Sequence, residues 1–122
     1  MEKSYLFVYG TLKRGLCRAH RMRKQRFVDE ARTAAKYRMF NCGTYPAMVE
    51  SSENGIEIEG EVWEVDCECL EHLDVVEGVR ENLYIRRQVE LASPFERLRV
   101  EAYLFQRSIA GLPDCGSLWD MM

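Results

Sequence analysis

Two stretches of this chain combine residue types and spacing that suit chemistry. The first is Tyr9-Gly10-Thr11-Leu12-Lys13-Arg14-Gly15, set directly behind the apolar run Tyr5-Leu6-Phe7-Val8. Gly10 and Gly15 allow close backbone approach and positive φ, and Thr11 offers a hydroxyl. A helix N-terminus after the loop would add positive potential, so the loop amides suit a carboxylate or a phosphate. The pattern also suits a plain strand-to-helix turn, because it lacks the lysine-serine/threonine ending of a P-loop and the third glycine of a dinucleotide fingerprint. The second feature is Glu77. At about 100° per residue it falls about 20° from Leu70, on the apolar stripe between Leu70 and Leu73. The residues alone leave two readings open. Glu77 either sits at a frayed helix end and reaches solvent or an arginine, or is a carboxylate held in a partly apolar cavity. In the second case desolvation raises its pKa to where it can take and return a proton near neutrality. Asp74, on the same side, is either a structural partner or a like-charge neighbour that lifts Glu77 further.

Those residues need elements to hold them. The run before the glycine loop reads as a strand, and the segment after it, with Arg18, Arg21, Arg23, Lys24 and Arg26, as a basic helical stretch. Phe27 to Phe40 alternates in part and suggests one bent strand or two short ones. After the loop Cys42-Gly43-Thr44-Tyr45-Pro46, Ala47 to Glu50 forms a short strand, and Asn54-Gly55 is a hairpin signal. Ile56 to Val65 alternates apolar and acidic residues as a long amphipathic strand, with a bulge or bend expected at Gly60. Asp66 is placed to cap a helix from about Cys67 to Val76 or Glu77, which Gly78 would close. Tyr84 to Leu91 and Leu98 to Gln106 are further strands, and the tail from Gly111 is irregular. About six strands with two helices, linked more often by hairpins than by helical crossovers, imply an α+β fold. Its sheet should be curled, barrel-like and mainly antiparallel, and residues 1–122 should make one domain.

Composition narrows the function classes. Of 122 residues, 47% are hydrophobic and 30% charged, which is ordinary for a globular chain and unlike disordered or membrane-spanning sequence. Near the start, Glu2 and Lys3 precede only a short apolar run, so neither a signal peptide nor a membrane span is expected and the chain should be cytoplasmic. The five cysteines are odd in number and irregularly spaced, which suits reduced thiols. With His20 and His72 as the only histidines, the Cys67-x-Cys69 pair does not make a zinc site, and no metal is expected. Residues 1–40 carry +8 and residues 41–122 carry −11, for −3 overall. The basic segment reads as a solvated face, or as one that pairs with the acidic half, and nucleic acid is not expected: no aromatic series interleaves with the arginines. Positive potential near the loop could also steer a small anionic substrate.

Five motifs in one order carry a further inference. They are the strand with its YGTLKRG loop, Gly43-Thr44-Tyr45-Pro46-Ala47, the acidic strand Glu59 to Asp66, Leu73-Asp74-Val75-Val76-Glu77-Gly78, and Tyr84-Ile85-Arg86-Arg87. Over about residues 4 to 106 the chain resembles the gamma-glutamylcyclotransferase-like family, and within it the small gamma-glutamylamine cyclotransferase branch. The resemblance implies a compact mixed fold with a barrel-like sheet and one cavity. It also implies an enzyme, without cofactor, whose substrate is a small γ-glutamyl amide: the substrate's own α-amine attacks its side-chain carbonyl, giving 5-oxoproline and a free amine. By motif match Glu77 is the acid/base, and Tyr9, Gly10, Thr11 and Leu12 hold the glutamyl part through backbone amides. Tyr84 offers a hydroxyl to substrate or packs in the sheet, and Tyr45 and Pro46 shape the cavity rim. The family's Gly-Asp-Trp-like stretch near the end is replaced here by Asp114 to Asp120, so the tail is expected to close the cavity differently. A non-catalytic ligand-binding module with the same pocket is the rival reading. Neither the departing amine nor an oligomeric state follows from the sequence.

Overall fold

The computed structural model describes residues 3–120. Strand β1 (Lys3–Val8) lies at the centre of a five-stranded sheet with β2 (Arg26–Arg32), β5 (Glu59–Asp66), β6 (Tyr84–Val89) and β7 (Val100–Phe105), in the order β2-β5-β1-β7-β6. The β1–β7 pair is parallel and the other pairs are antiparallel. Strands β3 (Tyr37–Asn41) and β4 (Pro46–Glu50) form a separate antiparallel pair, with β4 close to β7. The result is the mixed α+β domain with a curled, mainly antiparallel sheet, although the sheet is left open, with β2 and β6 at its edges.

Side-chain alternation explains why β1 is central. Leu6 and Val8 point into one core with Trp63, Val65, Tyr103 and Phe105, while Phe7 enters the other with Val62, Ala102 and Leu104. Both faces are therefore covered, and a strand apolar on both sides belongs in the middle. The first face is covered by the helix α1 (Cys67–Val76) through Leu70 and Leu73. The second is covered by Met39, Met48 and Trp119 from the β3–β4 pair and the tail.

Several expectations need correction. The basic segment is not a helix of useful length but turns around one 3-10 turn at Ala19–Met22. Arg26 already belongs to β2, whose pairing with Trp63 and Glu64 outweighs the weak helical preference of the arginines. Phe27 to Phe40 is two short strands, as one of the two expectations had it, spanning most of β2 and of β3 in different sheets. Asn54-Gly55 does not close a hairpin, since β4 and β5 lie in different sheets. Gly55 does not have the positive φ of a type I′ turn; a Cβ there would sit 2.5 Å from the Ala35 carbonyl oxygen, so close backbone approach is what the glycine permits. The register shift of the β2–β5 ladder falls between Phe27 and Asp29, not at Gly60. Gly60 instead admits β1: a Cβ would lie 2.4 Å from the Val8 carbonyl oxygen and 2.6 Å from the Phe7 ring. Among the described residues no helix is long and apolar enough to cross a membrane.

Candidate active site

Both chemistry-bearing stretches end at the same cavity. β1 stops at Val8, and the chain turns through an Lys13 N–H bond to the Gly10 carbonyl at 3.1 Å, with Arg18 N–H donating to the Thr11 carbonyl at 2.9 Å. On the far side, Asp66 caps α1 by accepting the Cys69 N–H at 2.8 Å, and the helix closes with Glu77 N–H bonded to the Leu73 carbonyl at 2.8 Å. Gly78 follows at φ +65°, a conformation that glycine adopts without strain and that ends the helix where Glu77 faces inward. The cleft, open solvent at its mouth included, is about 380 Å³, and Tyr9, Gly10, Thr11, Leu12, Tyr45, Pro46, Glu77 and Tyr84 all line it. Every site residue expected from the sequence is thus brought together. Phe7, Val8, Arg18 and Tyr103 complete the lining, and sequence reasoning did not single them out. Arg18 was hidden in a run of arginines, and Tyr103 looked like any strand tyrosine.

The polar groups of this cavity divide into spent and unspent. Tyr9 gives its hydroxyl proton to the Tyr103 carbonyl, and Tyr84 gives its own to the Pro46 carbonyl, each at 2.5 Å. Burial pushes both phenols up, with Glu77 contributing, so they stay protonated. Tyr84 therefore presents substrate with an acceptor oxygen rather than a free proton. Asp74 is a structural partner: Arg86 grips it at 2.9 and 3.1 Å and the Tyr103 hydroxyl donates to it at 2.7 Å. By contrast, among the described residues the N–H groups of Gly10, Thr11 and Leu12 donate to nothing, and the Glu77 carboxylate accepts from nothing. Burial raises the Glu77 pKa, and Arg18 pulls against that rise. A carboxylate so placed, held above the ordinary glutamate range, can take and return a proton, and unspent amides beside it can hold an anion.

Lys13 and Arg14 are not the free surface charges that their position in the loop suggests. Lys13 is buried and donates to the Trp119 carbonyl at 2.5 Å. Arg14 lies over the Phe27 ring and binds Glu61 at 3.0 Å. Both brace the loop from outside the cavity. Among the described residues the tail contributes none to the cavity lining, and it supports the loop through the Trp119 carbonyl that holds Lys13. Among the described residues no three His, Cys, Asp or Glu side chains group as metal ligands.

The fold and site together define a small α+β domain whose single buried-rim carboxylate faces a glycine loop of unspent amides. Comparison with known proteins places that class. The chain belongs to the family described as gamma-glutamyl cyclotransferase, AIG2-like, whose model matches residues 6–120, and it is a cyclotransferase-type enzyme. A provisionally named gamma-glutamylcyclotransferase of Vibrio cholerae is 30% identical over 91% of this chain and 91% of its own length. One of Methanocaldococcus jannaschii is 32% identical over 83% and 82%. The crystal structure of an AIG2-like protein from Mus musculus superposes with a TM-score of 0.84, covering 96% of this chain and 88% of that one at 24% identity, a likeness of fold.

Proposed function

We propose that this enzyme cyclises a γ-glutamyl amide, of the gamma-glutamylamine type or a near relative, to 5-oxoproline with release of a free amine, and that Glu77 is its acid/base. The observation that carries the reading is the pairing of an unpartnered, partly buried Glu77 carboxylate with the unspent amides of Gly10, Thr11 and Leu12 on one cavity.

In this reading the loop amides take the glutamyl carboxylate or the carbonyl oxygen as charge builds on it. Glu77 removes a proton from the α-ammonium, and the freed nitrogen attacks the side-chain carbonyl carbon to close a five-membered ring. The tetrahedral oxyanion then collapses, and Glu77 returns its proton to the departing nitrogen as the bond to that nitrogen breaks. The ring nitrogen, which still carries two hydrogens after attack, passes its second proton through Glu77 to the freed amine, which leaves as an ammonium. One carboxylate serves each transfer, no proton is gained or lost overall, and no cofactor takes part. The cavity walls of Tyr45, Pro46 and Tyr84 keep the amine against the carbonyl, and orientation is a large part of the rate of a ring closure.

Glu77→Gln keeps the shape and removes the proton carrier. 5-Oxoproline release from γ-glutamyl amides should fall by about 10²- to 10⁴-fold, with the amides still bound. A wild-type protein that binds them and releases no 5-oxoproline would instead be the non-catalytic module.

A further inference from the structure

Arg18 is unusual in this cavity because, among the described residues, its guanidinium has no hydrogen-bonded or ion-paired partner, although its charge is felt at Glu77. It is the one lysine or arginine that lines the space, it is partly buried, and among the described residues its side chain makes no hydrogen bond or ion pair. Its neighbours are already engaged: Arg14 holds Glu61, Arg21 faces His72 at 2.8 Å and Arg26 holds Glu64. Nor is Arg18 loosely placed, since its backbone N–H is tied to the Thr11 carbonyl and its carbonyl accepts from Arg21 N–H at 3.0 Å. A guanidinium at a cavity wall, carried on an anchored backbone and with five unspent donors, suits a carboxylate, which it can bind through two parallel bonds.

We propose that Arg18 is a specificity-determining residue that reads a carboxylate on the departing amine. The inference rests on the cyclising reading above, taken in the form in which the loop amides hold the glutamyl carboxylate. A second anion receptor then calls for a second anion, on the other side of the scissile bond. Arg18 shares a small cavity with Glu77, which must reach the scissile nitrogen, and its charge is near enough to be felt there. The carboxylate it reads therefore lies only a few bonds from that nitrogen, as in an α-amino acid. An alkylamine has none, and a polyamine brings a positive charge to a positive wall.

The test compares γ-glutamyl-alanine with γ-glutamyl-alaninamide, which has the same shape and lacks the carboxylate. Wild-type kcat/KM should favour the acid by about 10- to 100-fold, the range for a hydrogen-bonded charge pair. Arg18→Met should bring that ratio close to one, and Arg18→Lys should restore part of it. The ratio is the readout because losing the Arg18 charge also shifts Glu77, which affects both substrates alike and cancels. An equal loss on both substrates would mean that Arg18 holds the glutamyl half, and an unchanged ratio that it faces solvent; either result overturns the proposal. If the wild type turns over neither compound, the cyclising reading fails on its own, and calorimetry still decides on Arg18. Glu77→Gln protein should bind the acid more tightly than the amide, and adding Arg18→Met should abolish the difference. Equal affinities before that addition overturn the assignment.

Discussion

At the scale of single residues, the chemistry turns on the protonation of Glu77. Its carboxyl is raised by burial, with Arg18 opposing, and in the proposed reaction it must be ionised to accept the ammonium proton. Activity should therefore fall as pH drops through this raised value, at a higher pH than the ordinary glutamate value of about 4.3 would give. A kcat/KM profile for 5-oxoproline release checks this, and Arg18→Met should move the acid limb further up. The same shift has a thermodynamic sign. The native state holds the Glu77 proton more tightly than the unfolded chain does, so this group costs no stability below the unfolded pKa and becomes destabilising as pH rises through the native one. Glu77→Gln should thus melt above wild type at pH 7, with the gap closing on acidification toward about pH 4. An unchanged or lower Tm at pH 7 would show that the carboxylate is better solvated or paired than its surroundings imply.

At the scale of elements, α1 is the part that must be held still, because Glu77 follows its last turn. Two carboxylates fasten it: Asp66 at the N-cap, and Asp74, which joins the helix to β6 through Arg86 and to β7 through the Tyr103 hydroxyl. Asp74→Asn keeps the shape and leaves Arg86, which also holds Glu101 at 2.7 Å, short of a charge. Asp74 acts through the helix and does not line the cavity, so the variant should lower kcat more than it raises KM while the acid limb stays with Glu77. A matching loss in KM alone would argue against a positioning role. Asp66→Ala should cost about 1 kcal/mol in thermal or denaturant unfolding, the usual worth of a cap. The cap, the helix span and Gly78 were legible in the sequence because they are local signals: one side chain, one period, one backbone conformation. Asn54-Gly55 and the arginine run misled for the opposite reason. A dipeptide that favours a turn, or residues that favour helix, lost to sheet pairings that no local pattern records.

At the scale of the whole molecule, the uneven charge of the sequence becomes a set of long-range pairs. Arg14 meets Glu61, Arg26 Glu64, Arg32 Glu57, Lys36 Glu90, and Arg38 Asp114, each joining the basic first third to the acidic remainder. The pairing of the two halves could be foreseen from their charge; Arg18, the basic residue left over at the cavity, could not, because burial and partners are tertiary facts. The tail is a second such fact. Its sequence reads as irregular, yet the Asn41 N–H donates to the Pro113 carbonyl and the Glu59 N–H to the Ser117 carbonyl, each at 2.8 Å. Trp119, largest of the fully buried side chains, fills the core face opposite α1, and its carbonyl receives the buried Lys13 ammonium. Lys13 directly follows the loop that lines the cavity, so the described part of the tail supports the site from behind that loop. Trp119→Ala should cost about 3–5 kcal/mol in unfolding, as for other large-to-small core changes. It should also raise KM for γ-glutamyl substrates well below the new Tm, because the loop's far anchor is loosened. Trp119→Phe deletes an indole N–H that is buried without a partner and keeps most of the apolar volume, so it should recover most of the stability and the KM. If Trp119→Ala lowered Tm and left KM untouched, the tail would be a core element alone, without leverage on the glycine loop.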